Sequence, residues 1–207
     1  MNGKLLIIGA GGHGRVVADT ALKTNKWSLV SFIDRKYPNL EKIGKWNVIG
    51  VDDSLIHLKS EYDAVAVAVG DNKTRLNLLS TVEKMGLNIA TIIHPSAQIG
   101  DQVTIGRGCV IFSNVVINYG ATIGDACIIN TAAIVEHDCK IGDGVHLSPG
   151  VNLGGGVSIG TRSWVGIGAS VINNRSIGSK VIIGAGSTVI NNVPDGLTVV
   201  GSPARSV

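Results

Sequence analysis

The chain has 207 residues, 44% hydrophobic and 16% charged, with a formal net charge of +3. That balance excludes a disordered chain, and the length is enough for a sizeable core without staples. The charge is mild and comes without a Lys/Arg cluster, which argues against a nucleic-acid partner. No apolar run approaches the ~20 residues of a bilayer span, and glycines break the run at residues 5–8 at once, unlike a signal peptide. Three cysteines, an odd and small number, fit a reducing, cytoplasmic setting. The 28 glycines and 4% aromatics point to a tightly turned, repetitive architecture.

Residues 1–93 read as an alternating α/β unit. A strand at 4–8 runs into Gly9-Ala10-Gly11-Gly12-His13-Gly14, and a helix from 15 to about 23 follows. Then come strands at 29–33 and 64–69, a helix around 74–85 and a strand at 89–93. This order predicts a parallel, Rossmann-like βαβ sheet. The turn fits GxGxxG, and Asp34 stands about 20 residues further on. Taken alone the turn suggests NAD, but the unit is about half a dinucleotide-binding domain and lacks the second mononucleotide half. A nucleotide-sugar diphosphate fits it better; a dinucleotide and a turn without ligand are the alternatives. The candidate substrate-binding residues are Gly12, His13, Gly14, Arg15, Asp34, Arg35, Gly70 and Asn72. The last two belong to residues 69–72, which end the third strand at the sheet edge where ligands of open α/β sheets lie.

From residue 94 onward the pattern changes. Sixteen consecutive positions six apart, from Ile99 to Val189, are all Ile, Val or Leu. Two positions before each is a mostly small residue, and Gly often follows. A hexapeptide period of this kind predicts a parallel β-helix. Each hexapeptide makes one flat side and one corner, three sides close an eighteen-residue coil, and sixteen hexapeptides give about five coils. Cys109, Cys127 and Cys139 fall at the small inward position, so they read as packing residues.

Several segments occur together in order: the GAGGHG turn, a strand ending in Asp34-Arg35, VGDNKTR (69–75), IIHPSAQIG (92–100), EHDC (136–139) and a terminal GSPAR (201–205). This combination resembles the bacterial sugar O-/N-acyltransferases of the NeuD type. The resemblance implies a left-handed β-helix at 94–207 behind a nucleotide-sugar-binding domain at 1–93. It further implies acetyl transfer from acetyl-CoA to a sugar amine, without a metal, by a homotrimer with active sites between adjacent helices.

Acetyl transfer needs a base, an oxyanion donor and a held thioester. His137 lies two residues after Val135, at a corner, so it projects outward. The resemblance places the base there; a solvated corner histidine is the alternative. Asp138 and Glu136 flank it; the resemblance has an acid directly after the histidine, which makes Asp138 the first candidate orienter and Glu136 the second. His146 is outward on a flat side, where the family contacts CoA, and Trp164 stands one coil above it. Gly155 is one coil beyond His137 in the same column, with Gly154 and Gly156 beside it, and is a candidate oxyanion donor. Ile167 and Ala185, also eighteen apart, line a column where the family's CoA chain runs, and Arg205 could meet its phosphates. No cysteine faces outward by phase, so direct attack on the thioester is expected rather than an acyl-Cys route. The competing functions are sugar O-acetylation of the sialic acid type and a non-catalytic nucleotide-sugar sensor. A γ-type carbonic anhydrase would need three zinc histidines, two of them closely spaced, and the central pair here is nine apart.

Overall fold

An unbroken apolar run must be covered on both faces, and Leu5, Leu6, Ile7 and Ile8 are all buried in strand β1 (Gly3–Ile8). The computed structural model describes residues 2–207, which divide between Ile93 and His94 into two units. In the first unit, α1 (Gly12–Lys23) follows β1 and leads to β2 (Trp27–Ile33). A hairpin of β3 (Lys42–Ile43) and β4 (Trp46–Asn47) comes next, then a 3-10 turn at Asp52–Ser54 and the short α2 (Leu55–Leu58). Strand β5 (Ala64–Val67) and α3 (Asn72–Lys84) complete the pattern. The sheet order is β2-β1-β5, all parallel. The chain leaves β1 to one side for β2 and returns to the other for β5. The loops after β1 and β5 therefore diverge at a topological switch point. Helix α1 buries Gly14, Val17, Ala18 and Ala21, a stripe of helical spacing against the sheet.

Two expectations need correction. Helix α1 begins at Gly12, not at residue 15, so Gly12, His13 and Gly14 form its first turn. The strand expected at 89–93 reduces to a single bridge from Ile89 to Val65 and a two-residue strand at Ile92–Ile93. Ile89 sits between two hydrogen bonds, Val65 N–H to Asn88 O and Ala90 N–H to Val65 O, after which the chain leaves β5.

The second unit is a parallel β-helix. One side stacks the two-residue strands starting at Gln98, Val116, Ile134, Asn152, Ser170 and Thr188, six deep; the sixteenth hexapeptide opens a sixth turn beyond the five full coils. A second side runs from Thr104–Ile105 to Ser176–Ile177, and a third carries Val110, Ile128, His146, Trp164 and Ile182 in one outward column. Every pairing joins residues eighteen apart until the strand Thr198–Gly201. The second residue of each strand points inward: Ile117, Val135, Leu153 and Val171 are all buried. Cys109, Cys127 and Cys139 are fully buried free thiols, the first two in one inward column and the third in another.

The corners share one backbone device. Every sixth residue from Gln102 to Gly186 has a positive φ between 54° and 71°. A single left-handed residue turns the chain from one flat side to the next. Glycine holds this position at seven corners, and Ala126, Ala132 and Asp138 are among the others.

Candidate active site

At the corner after Ile134–Val135, Asp138 takes the left-handed position with φ 59°. Its N–H donates to the Tyr119 carbonyl one coil away at 3.0 Å, fixing the backbone. A short polar side chain tolerates this conformation, so the acid lies beside the preceding residue without a glycine. His137 Nδ1 is 2.8 Å from Asp138 Oδ2. A carboxylate only accepts, so the proton sits on Nδ1 and Nε2 offers its lone pair outward. Glu136 does not meet the ring; its Oε2 accepts the His137 backbone N–H at 3.3 Å. Of the two flanking acids, Asp138 is thus the one that holds the imidazole. The His137 side chain is 57% exposed, which leaves Nε2 open to a substrate.

Gly155 lies in the next coil directly beside this ring. A Cβ built there would strike His137 Nε2. Any other residue would crowd that nitrogen, and glycine keeps the approach to it clear. Gly154 N–H donates to Val171 O, and Gly156 N–H to His137 O at 2.9 Å. Among the described residues no acceptor takes the Gly155 N–H, so a donor without a side chain stands next to the lone pair of the imidazole. Burial pushes the Cys139 thiol up from its usual range, which keeps this neighbour of the imidazole unreactive.

On the third side His146 is half-buried and stacks on Trp164, with ring centroids 6.2 Å apart and planes 19° from parallel. The indole N–H donates to Ser148 Oγ at 2.8 Å, and Asn130 Nδ2 lies 3.3 Å from His146 Nε2. Asn130 and Ser148 carry no motif that singles them out from sequence; only the coil stacking brings them to the ring. Trp164, Ile182, Val200 and Ile167 remain exposed, an apolar surface suited to an extended thioester arm. Ala185 is exposed one coil beyond Ile167. Arg205 lines a separate cavity with Asn191, Asn192 and Pro194 at the end of the helix.

In the first unit, Gly9, Asp34, Arg35, Lys36, Asp52, Val69 and Thr74 line a cavity of about 280 Å³ at the switch point. Gly9 has φ 104°, and a Cβ at Gly14 would run into the Gly9 carbonyl oxygen, so both glycines serve the close contact of turn and helix. Asp34 ties the cavity wall together: Oδ2 accepts the Ala10 N–H at 2.7 Å and Oδ1 the Lys36 N–H at 2.9 Å. Arg35 pairs with Asp52 at 3.3 Å. Gly11, Gly12, Arg15 and Gly70 are exposed. No side chain caps α1 and no acid lies in its first turn, which leaves its N-terminal N–H groups suited to an anion. His13 is mostly buried; burial first and the nearby Arg75 second lower its pKa to about 4, so it is neutral near pH 7. Asn72 turns its amide oxygen to Arg75 Nη2 at 2.8 Å, inside the loop rather than into the cavity. Arg75 itself was legible only as part of the 69–75 segment and not as a buried residue.

Among the described residues no group of three His, Cys, Asp or Glu is placed to hold a metal ion, and no helix is long and apolar enough to cross a membrane. The PglD N-terminal domain family matches residues 4–82, and the bacterial transferase hexapeptide (six repeats) family matches residues 120–155. A UDP-N-acetylbacillosamine N-acetyltransferase of Bacillus subtilis is 40% identical over 112 residues. That match takes in 52% of this chain and about half of the relative's own length, 50%. The acetyltransferase domain of PglB from Neisseria gonorrhoeae, solved with acetyl coenzyme A, superposes with a TM-score of 0.96 at 37% identity over 100% of both chains. PerB from Caulobacter crescentus, solved with CoA and GDP-perosamine, gives a TM-score of 0.94 at 36% identity over 99% of this chain and 97% of that one. With a Gly-rich α/β unit, an uninterrupted hexapeptide helix and full-length relatives of this identity, the chain belongs to the hexapeptide-repeat sugar acyltransferases.

Proposed function

We propose that this protein transfers an acetyl group from acetyl-CoA to the amine of a nucleotide-linked amino-sugar, of the 4-amino-4,6-dideoxy type used in bacterial surface glycans. The observation that carries the reading is the His137–Asp138 pair with the side-chain-free Gly155 against Nε2. The relatives solved with acetyl-CoA, or with CoA and GDP-perosamine, support the choice of donor and acceptor. The sugar nitrogen attacks the thioester carbonyl carbon, and the C–N bond forms as the carbonyl pair moves onto oxygen. His137 Nε2 takes the proton from that nitrogen, while Asp138 holds the opposite ring nitrogen and balances the imidazolium. The Gly155 N–H faces the developing oxyanion. Collapse breaks the C–S bond, and CoA leaves as thiolate and takes up a proton. His146, Gly155, Ile167 and Ala185 line the path of the CoA arm. The cavity at the Gly-rich turn receives the nucleotide diphosphate. Acetyl-CoA and nucleotide-sugars are cytoplasmic metabolites and the three thiols are free, which supports a cytoplasmic enzyme. The exposed apolar residues Trp164, Ile167 and Ile182 support an interface between helices, and the homotrimer is taken from the family resemblance of the sequence.

The test is thiol release from acetyl-CoA against UDP-, dTDP- and GDP-linked 4-amino-sugars, with His137→Ala alongside. Fast turnover on one amino-sugar, lost in the variant, is the expected result. Turnover only on hydroxyl sugars would replace N- by O-acetylation, and silence on both would leave a binding protein.

A further inference from the structure

Helix α3 carries its buried residues at Arg75, Leu79 and Val82, one helical stripe, so an arginine occupies a position that otherwise takes an apolar side chain. Arg75 is 1% exposed. A buried guanidinium is costly unless its donors are met, and here they turn back on the loop that precedes the helix. Nη1 donates to the carbonyls of Val69 and Gly70, each at 3.0 Å, and Nη2 to Asn72 Oδ1. These acceptors are neutral: two carbonyls of the loop between β5 and α3, and the amide of Asn72, the first residue of α3. Val69 and Thr74 on this same segment line the cavity at the switch point, with Gly9 opposite. With the carbonyls of Val69 and Gly70 drawn inward to the guanidinium, the outer side of the loop is left to backbone N–H groups and to the start of α3. Asp71 caps that start by accepting the Thr74 N–H at 2.8 Å.

We propose that Arg75 is a positioning residue for the diphosphate of the nucleotide-linked substrate: it clamps the loop at residues 69–72 in the form that receives the anion and places a fixed positive charge behind it. The proposal rests on the reading that this cavity binds the nucleotide. Burial first and this charge second hold His13, on the facing turn, neutral. The turn thus has one permanent charge behind it and a neutral imidazole in it.

The experiment is calorimetric titration of the full chain with UDP, dTDP, GDP and inorganic pyrophosphate, for wild type, Arg75→Lys and Arg75→Met. In Arg75→Met, the dissociation constants for the preferred nucleoside diphosphate and for pyrophosphate should rise tenfold or more. Arg75→Lys, which keeps the charge and loses the fork, should recover part of this. The affinity for acetyl-CoA should stay within twofold in both. The His13 ring signal in a proton NMR titration, which reads charge rather than fold, should move to higher pH in Arg75→Met. If the Met variant does not fold, the partial loss of diphosphate affinity in the Lys variant, with acetyl-CoA binding within twofold, carries the test alone. Unchanged diphosphate affinity in either folded variant, or equal losses for diphosphate and acetyl-CoA, would overturn the assignment to Arg75. A wild type that binds none of the diphosphates would instead remove the nucleotide reading of the cavity, and this proposal with it.

Discussion

The two units of this chain both bury aliphatic side chains around short parallel strands, but they fix their functional groups in opposite ways. In the β-helix each environment recurs every six residues, and a corner is held by the corners above and below it. Asp138 hangs from Tyr119 and Gly156 from His137, by backbone hydrogen bonds that any side chain would allow. Side chains at such a corner are free to serve chemistry. In the N-terminal unit each contact is made once. Asp34 and Arg75 close the loops that line the cavity, so the residues that shape the cavity are also those that complete the fold. Substitutions should therefore separate activity from stability in the helix and mix them in the first unit.

The sharpest check of that contrast is His137→Ala. It should lower kcat by about 10²–10⁴ with the melting temperature unchanged, read by thiol release and by calorimetry. Gly155→Ala comes next: the backbone N–H remains, but the methyl crowds Nε2, so kcat should fall by the same factor of about 10²–10⁴ or less. The Gly155 φ lies outside the left-handed region and the three atoms nearest the added methyl all belong to the exposed His137 ring, so the fold should survive. A large drop in melting temperature for either variant would erase the contrast.

In the N-terminal unit the expected effect is on stability. The folded His13 pKa is about 4, and the unfolded chain returns it to about 6.5. Between these values the unfolded state binds the extra proton, so stability is full above pH 6.5 and falls as pH drops toward 4, by roughly 3 kcal/mol in total. Urea unfolding followed by Trp27 and Trp46 in a Trp164→Phe background should show this slope, and His13→Gln should flatten it. An unchanged slope in that variant would break the link to His13. The smallest effect is at Ala132, an exposed corner residue with φ 56°. Ala132→Gly relieves the left-handed strain but loosens the unfolded chain, so unfolding free energy should rise by less than about 1 kcal/mol.

The same contrast explains what could be read from the sequence. The aliphatic ladder from Ile99 to Val189 was legible because one environment is repeated, and the phase of the repeat placed His137 outward, Cys139 inward and Trp164 above His146. The pairing of His137 with Asp138 rather than Glu136 depends on a left-handed φ at residue 138. The six-residue column of corners carries that signal, but the residue type alone does not. The β3–β4 hairpin and α2 went unseen because two- and four-residue elements have no period to detect. Arg75 was missed because a charged residue in a helix is ordinarily solvated; its burial follows from the carbonyls of Val69 and Gly70, which only the folded loop brings to it.

The stacking of coils eighteen residues apart also makes the helix a ruler. Neighbouring coils are separated by the strand spacing of about 4.8 Å, and no residue can sit between two rungs. The distance along the axis from the imidazole of His137 to any side chain that grips the donor is thus set in whole steps. An insertion of one residue would turn every later side chain inside out, whereas one of eighteen would move the grip by a single rung. A longer or shorter acyl donor is then accommodated by which rung carries the contact, and a chain of this kind changes its reach in units of one coil.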